Sequence, residues 1–369
     1  MKKTFYKINF LIVVSLLLLL SSCNSEGNYR GGAVGKTANF DSIMATSKTK
    51  ALATVYYEHG NFINSKDFPP IVNAIQVNKH INDWLLIDIR NYQDYEAGHI
   101  KGAYNVHKYR LIDYLTEVHN ADAYDKVVII DYAGQLSSYV TSILRFAGFD
   151  NVYTMYYGMS TWNSKFAAPL KKGYQKGFAD YIIETAPKKE SAKAHEGEAH
   201  HKEHKSIDEL IKGVPQLSDS LPSEVIELRA RKLLKIEPQN YLVKAATFFS
   251  NYKEHPEKYL PVFYMDNQKK FEESHIKGAT LFRSRKDLSL DTKLTELPID
   301  KEIVLYCKTG HTSASAAAYL NMLGYTSYSL NFGYNSYNGD AKQVEDFLND
   351  FPVVTGKDPF GPKKKKKKK

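Results

Sequence analysis

At 369 residues the chain is long enough for about two domains, and hydrophobic and aromatic fractions of 43% and 13% exclude a disordered or low-complexity protein. A net charge of +9 would suggest a nucleic-acid partner, but Lys2, Lys3, Lys7 and the terminal run Lys363 to Lys369 carry it. The body between them is slightly acidic, so no basic domain surface and no nucleic-acid partner is expected.

The chain opens with a basic start, an apolar run from Ile8 to Leu20 and then Leu20-Ser21-Ser22-Cys23. The run is short for a membrane span and has the layout of an export signal. Its ending resembles a bacterial lipobox, which implies cleavage before Cys23 and lipid attachment to that thiol. The expected location is the cell envelope, with the chain lipid-anchored to a membrane outside the cytoplasm. A polar stretch from Asn24 to about Asn64 suits a tether. With Cys23 lipidated, Cys307 is the sole remaining thiol and no intrachain disulfide can form.

A repeat organises the rest of the chain. His-Ile-Lys-Gly-Ala occurs at His99 to Ala103 and again at His275 to Ala279, an offset of 176 residues that also carries Tyr95 to Phe271, Gly134 to Gly310, Ser137 to Ser313 and Gly148 to Gly324. Each copy alternates strand and helix. Trp84 to Ile87 and Val127 to Ile130 read as strands in the first, Val262 to Met265 and Ile303 to Tyr306 in the second. Helices are expected from Ser137 to Phe146, stopped by Gly148, and from Ser313 onward, stopped by Gly324. The pattern is α/β and doubly wound, each domain a parallel sheet flanked by helices, with ligands expected at the strand carboxyl ends. Asp131 and Cys307 occupy equivalent positions at such ends.

Between the copies, residues 187–205 are rich in Lys, Glu and His and lack large apolar side chains, so a solvated linker is expected. His200 and His204, four apart with His195 and His201 nearby, leave transient zinc binding as the alternative. No cofactor and no built metal site are expected. The closing lysines read as a solvated tail, with contact to anionic lipid or polysaccharide as the alternative. The expected division is a signal peptide over 1–22, a tether over 23–65, a first domain over 66–186, a linker over 187–225, a second domain over 226–356 and a tail over 357–369.

Cys307 lies in Tyr306-Cys307-Lys308-Thr309-Gly310-His311-Thr312-Ser313, between a strand and a helix. Backbone N–H groups of a tight loop entering a helix make an anion site, and Lys308 and His311 add positive or polarisable character. A thiol there is expected to be more acidic than the free value of about 8.5. The loop alone equally allows a buried, inert cysteine.

Leu86-Ile87-Asp88-Ile89-Arg90 followed by Tyr95 to Ala103 resembles the opening of a rhodanese homology domain, and Gly158-Met159-Ser160-Thr161-Trp162 resembles its close. In the second copy, Cys307 to Thr312 resembles the Cys-x-x-Gly-x-Thr loop of two-domain sulfurtransferases, and Gly333-Tyr334-Asn335-Ser336-Tyr337 resembles the closing Gly-Trp-x-x-Trp. The resemblance implies two tandem rhodanese-like domains with catalysis in the second, matching Asp131 opposite Cys307. The second copy departs from the family by carrying Tyr264 and Asp266 where the first has Asp88 and Arg90, and Ser274 where the first has Gly98.

The activity so implied is sulfur transfer, thiosulfate:cyanide or thiosulfate:thiol, through a persulfide on Cys307. Lys308, Thr309, Gly310, His311, Thr312 and Ser313 would bind the anionic sulfur. Lys308 would favour thiosulfate, with His311 at the rim. Arg283 and Arg285 would replace the charge lost at position 266. Thr312, standing where phosphatase relatives with longer loops carry Arg, argues against phosphate-ester hydrolysis. The alternative function is a non-catalytic binding module tethered at the membrane, with Cys307 incidental.

Overall fold

The computed structural model describes residues 52–174, 183–184 and 221–356. The signal segment, Cys23, the His-rich part of the linker and the polylysine tail lie outside the described residues.

The first copy contributes strands β1 (Ile71–Val72), β2 (Leu85–Asp88), β3 (Tyr104–Asn105), β4 (Val127–Ile130) and β5 (Val152–Met155) to a parallel sheet of order β1-β5-β4-β2-β3. Its principal helix, α1, is Gln135–Phe146. A short strand β6 (Ile183–Glu184) and helix α2 (Leu221–Lys235) lead to the second copy. Here β7 (Leu242–Val243), β8 (Tyr259–Tyr264), β10 (Thr280–Phe282), β11 (Glu302–Tyr306) and β12 (Ser327–Leu330) form a second parallel sheet, with β9 (His275–Ile276) outside it. The order β7-β12-β11-β8-β10 repeats that of the first sheet position for position. The central strand β4 and the Ile303 to Tyr306 part of β11 are continuous apolar runs because helices cover both of their faces.

The helix α3 (His311–Leu323) follows β11 as α1 follows β4, and the two helices pack against each other to join the copies. Small side chains permit that approach. Ser142 Oγ donates to Ser315 O at 3.0 Å, and Ser315 Oγ donates back to Ser138 O at 3.3 Å. Farther along, Asn321 Nδ2 donates to Tyr139 OH at 2.9 Å, and the Tyr139 ring stacks on Tyr241.

The repeat register is 176 through α1 and α3 and then shortens by one. Ser137 Oγ meets Thr154 Oγ1, but Ser313 Oγ meets Ser329 Oγ. The second copy thus turns one residue sooner between Gly324 and β12. Beyond the sheets the copies exchange their closing segments. The strand β6 pairs antiparallel with β9, Glu184 opposite His275, while Val354 bridges to His99. Each His-Ile-Lys-Gly-Ala motif therefore receives the chain that closes the other copy.

Two expected boundaries move. Residues 52–58 form a helix, and Leu52, Ala53, Tyr56, Ile63 and Phe68 are buried, so the folded region begins well before 66. Tyr56 contacts both Phe146 and Tyr319, one ring from each copy's helix, at 4.8 and 6.0 Å. A two-turn helix whose few apolar residues continue a polar run carries too weak a period to be separated from a tether. The stretch from Phe351 to Val354, read as the end of the second domain, packs on the first instead. Trp162 Nε1 donates to Pro352 O at 3.0 Å, and the Trp162 and Phe351 rings meet at 5.0 Å.

Candidate active site

The loop from Cys307 to Ser313 leaves the carboxyl end of β11 and enters α3 through Gly310. Gly310 caps the helix at φ +86, a left-handed conformation that glycine adopts without penalty. The turn brings the Gly310 N–H to 3.2 Å from Cys307 Sγ and Ser313 Oγ to 3.5 Å, both as donors. From behind, the closing motif braces the loop: Tyr334 N donates to Cys307 O at 2.7 Å and Asn335 N to Lys308 O at 3.1 Å. Gly333 must be glycine, since a Cβ at its φ of +55 would collide with Cys307 O.

The first copy shows what this cradle holds. Asp131 stands in the place of Cys307, and its carboxylate accepts from Gly134 N, from Ser137 N at 3.1 Å and from Ser137 Oγ at 3.1 Å. Burial pushes the Asp131 carboxyl up, and the same donors pull it back. The loop that holds a carboxylate in one copy faces a sulfur in the other, with Gly310 N and Ser313 Oγ standing where Gly134 N and Ser137 Oγ stand.

Of the residues singled out in the sequence, Cys307 is 3% exposed, Ser313 is buried, Thr309 and Thr312 are half-buried, and Lys308 is exposed. The expectation of a rim histidine is not met. His311 is fully buried, because α3 starts two residues before Ser313 and turns His311 toward the first copy. Tyr157 N donates to His311 Nε2 at 3.0 Å, which leaves Nδ1 protonated and donating to Thr309 Oγ1 at 3.0 Å. Burial lowers the imidazole to about 3, against the opposing pull of the Thr309 backbone. His311 is neutral and lends the loop no positive charge. Arg283 is not a free cation either: its backbone N, Nε and guanidinium bind the buried Asp287 carboxylate at 2.7 to 3.2 Å. Asp287 raises the guanidinium pKa further. Arg285 is exposed, at a left-handed φ of +65.

The sequence reading passed over several residues here. Gln135 Nε2 reaches from the first copy to Thr309 O at 3.1 Å. Tyr156 and Tyr157 lay their rings 4.7 and 4.8 Å from His311, and the Tyr157 and Tyr174 hydroxyls bond each other. Lys270 Nζ sits 4.4 Å from the Tyr334 ring centre. Tyr156 and Tyr157 do precede the closing motif of the first copy at Gly158, the one sequence signal that could have marked them. In Arg90 and Asp88 the first copy keeps the buried ion pair, 2.7 Å apart, that the second lacks at those positions.

The rhodanese-like domain profile matches residues 73–165 and 254–340, one stretch in each copy. The thiosulfate sulfurtransferase GlpE of Pseudomonas entomophila (strain L48) is 32% identical over 89 residues, 24% of this chain and 79% of that protein. The chain belongs to the rhodanese family. The GlpE protein of Shewanella oneidensis (strain MR-1) is 32% identical over 78 residues, 21% of this chain and 74% of its own length. The crystal structure of thiosulfate sulfurtransferase from Pseudomonas aeruginosa is 14% identical and covers 85% of this chain and 70% of its own, with a TM-score of 0.25. This tandem rhodanese therefore places one family fold in each copy and a cysteine in the loop of the second alone.

Proposed function

We propose that the protein is a sulfurtransferase that moves sulfane sulfur from thiosulfate to cyanide or a thiol through a Cys307 persulfide. The observation that carries this reading is the pair of donors, Gly310 N–H and Ser313 Oγ–H, aimed at Cys307 Sγ in a cradle whose twin holds a carboxylate. Preorganised donors at a helix entrance stabilise negative charge carried by the sulfur during transfer. The thiolate attacks the outer sulfur of thiosulfate, the S–S bond of the donor breaks, and sulfite departs with the bonding pair. Cyanide or a thiolate then attacks the outer sulfur of the persulfide and the Cys307 thiolate leaves.

In this reading Lys308, the exposed cation beside the sulfur, draws the anionic donor in, while Thr309 and Thr312 line the loop and Gly310 shapes it. His311 holds the loop to the first copy. Arg283, occupied by Asp287, supports structure rather than substrate. The lipid anchor at Cys23 and the location outside the cytoplasm rest on the sequence. Membrane association that survives Cys23→Ser would remove the anchor from the account.

Thiocyanate formation from thiosulfate and cyanide tests the reaction. Turnover by the wild type and none by Cys307→Ala supports it. No turnover with cyanide or with any small thiol acceptor turns the reading to the alternative, a non-catalytic binding module, which the near-complete burial of Cys307 favours.

A further inference from the structure

Thr309, two residues past the nucleophile, is held at both of its oxygens. His311 Nδ1 donates to Thr309 Oγ1 at 3.0 Å, and Gln135 Nε2 donates to Thr309 O at 3.1 Å. Gln135 is buried, and a carbonyl can only accept, so the amide turns its N–H side to the loop. Three successive carbonyls of the loop are thereby occupied: Cys307 O by Tyr334 N, Lys308 O by Asn335 N, and Thr309 O by Gln135. The first two donors are backbone of the closing motif in the same copy. The third is a side chain sent across from the other copy.

The Thr309 C=O and the Gly310 N–H belong to one planar trans peptide, in which the two groups point opposite ways. Gln135 holds the carbonyl end, and the other end donates to Cys307 Sγ at 3.2 Å. A chain of contacts therefore runs from a side chain of the first copy, through a single peptide, to the nucleophile. That peptide needs holding. Gly310 sits at φ +86, and a Cβ there would lie 2.9 Å from Phe332 N and 3.0 Å from Gln135 Cγ, so the position calls for glycine. The same glycine leaves the peptide before it free to turn over, which would exchange the N–H for a carbonyl oxygen beside the sulfur. A donor fixed on the carbonyl opposes that exchange, and it polarises the peptide so that its N–H binds negative sulfur more strongly.

Gln135 stands 176 residues before His311, and each is the first residue of its helix. Both reach across the junction, His311 Nε2 as the acceptor for Tyr157 N and Gln135 as the donor to Thr309 O. The copy without the nucleophile thus supplies the donor that steadies the loop of the copy that has it. We propose that Gln135 is a positioning residue for sulfur transfer, holding the 309–310 peptide so that the Gly310 N–H stays aimed at Cys307 Sγ as negative charge returns to that sulfur. This rests on the sulfurtransferase reading. The charge returns in the second half of the reaction: the carbon lone pair of cyanide forms a bond to the outer sulfur, the S–S bond breaks, its electron pair goes to Sγ, and thiocyanate leaves. A donor on Sγ stabilises that transition state more than the persulfide before it, because the charge on Sγ is still growing.

Discharge of the loaded protein isolates that step. The full chain and its Gln135→Met, Gln135→Glu and Ser142→Ala variants are loaded with thiosulfate, freed of donor and mixed with excess cyanide, and loss of the added sulfur is followed by intact mass, with Cys307→Ala as the blank. Gln135→Met keeps the length of the side chain and removes the donor, and its discharge is expected to be about tenfold slower, in line with one hydrogen bond to a charged group. Ser142→Ala removes a different bond between the copies, from Ser142 Oγ to Ser315 O, and is expected to discharge at the wild-type rate. In Gln135→Glu a carboxylate cannot donate to Thr309 O, whereas the protonated carboxyl can, and burial moves that titration above the usual carboxylate range. Its rate relative to the wild type, a ratio in which the protonation of cyanide cancels, is expected to rise as the pH falls.

Wild-type discharge by Gln135→Met, from a wild type that loads and discharges, overturns the positioning role and leaves the transferase reading intact. So does a Gln135→Glu ratio that is flat with pH, or a Ser142→Ala protein as slow as Gln135→Met, since a loosened junction would then be the cause. If thiosulfate loads nothing, the same series is loaded with a small-molecule persulfide. Slower discharge of Gln135→Met there, by about tenfold, retains the role and removes thiosulfate as donor. No loading from either donor overturns both.

Discussion

Acidification isolates the junction between the copies, because His311 is the titratable group built into it. The folded imidazole sits at about 3 against an ordinary value of 6.5, with burial as the cause. A base whose folded pKa is depressed stabilises the fold fully above its unfolded pKa and loses that contribution as the pH falls below it. Between about pH 7 and about pH 5 the unfolded chain takes up a proton on this side chain and the folded chain does not, which costs about 2 kcal/mol of stability. His311→Gln retains an acceptor for the Tyr157 N–H and cannot titrate. Urea unfolding of both proteins at the two pH values is the assay, and the difference between them cancels every other titrating group. The wild type is expected to lose about 2 kcal/mol more than the variant over that interval. Parallel losses would refute a buried, neutral His311 and with it the grip of the first copy on the Cys307 loop.

Gly333→Ala places a methyl against Cys307 O at a left-handed φ, and is expected to cost at least about 2 kcal/mol in urea unfolding; wild-type stability would contradict the close packing of the closing motif under the loop. A chain ending at Gly339 loses Phe351 and the Pro352 carbonyl that cover Trp162. Its tryptophan emission is expected to shift to the red, and an unshifted spectrum would mean that the terminal segment does not lie on the first copy. Ala317→Leu overfills the helix α3 at a fully buried position and is expected to cost about 1–3 kcal/mol, with an unchanged urea midpoint as the contrary result.

Much of the fold was legible because its carriers are local and repeated. The run Val127 to Ile130 is short, β-branched and wholly apolar, which reads as a buried strand. His-Ile-Lys-Gly-Ala at two places gave the register that β2, β3 and β4 keep with β8, β10 and β11. The reciprocal exchange of closing segments was not legible, since Glu184 opposite His275 and Val354 opposite His99 are pairings between distant stretches with no periodic signal of their own. The loop around Cys307 could be read because its chemistry is contiguous. The environment of that loop could not, because Gln135 and Tyr157 reach it only once α1 has packed on α3. His311 illustrates the same limit: its neighbours in sequence are polar and suggest a rim, and only the helix start and the first copy's Tyr157 bury it.

The persulfide itself gives the most direct test. Intact mass of the reduced protein after exposure to thiosulfate, beside Cys307→Ala, is predicted to show a gain of one sulfur, about 32 Da, only where Cys307 is present, as covalent nucleophilic catalysis requires. An unchanged mass, with Cys307 still open to an alkylating reagent, would contradict sulfur transfer as the function of this loop.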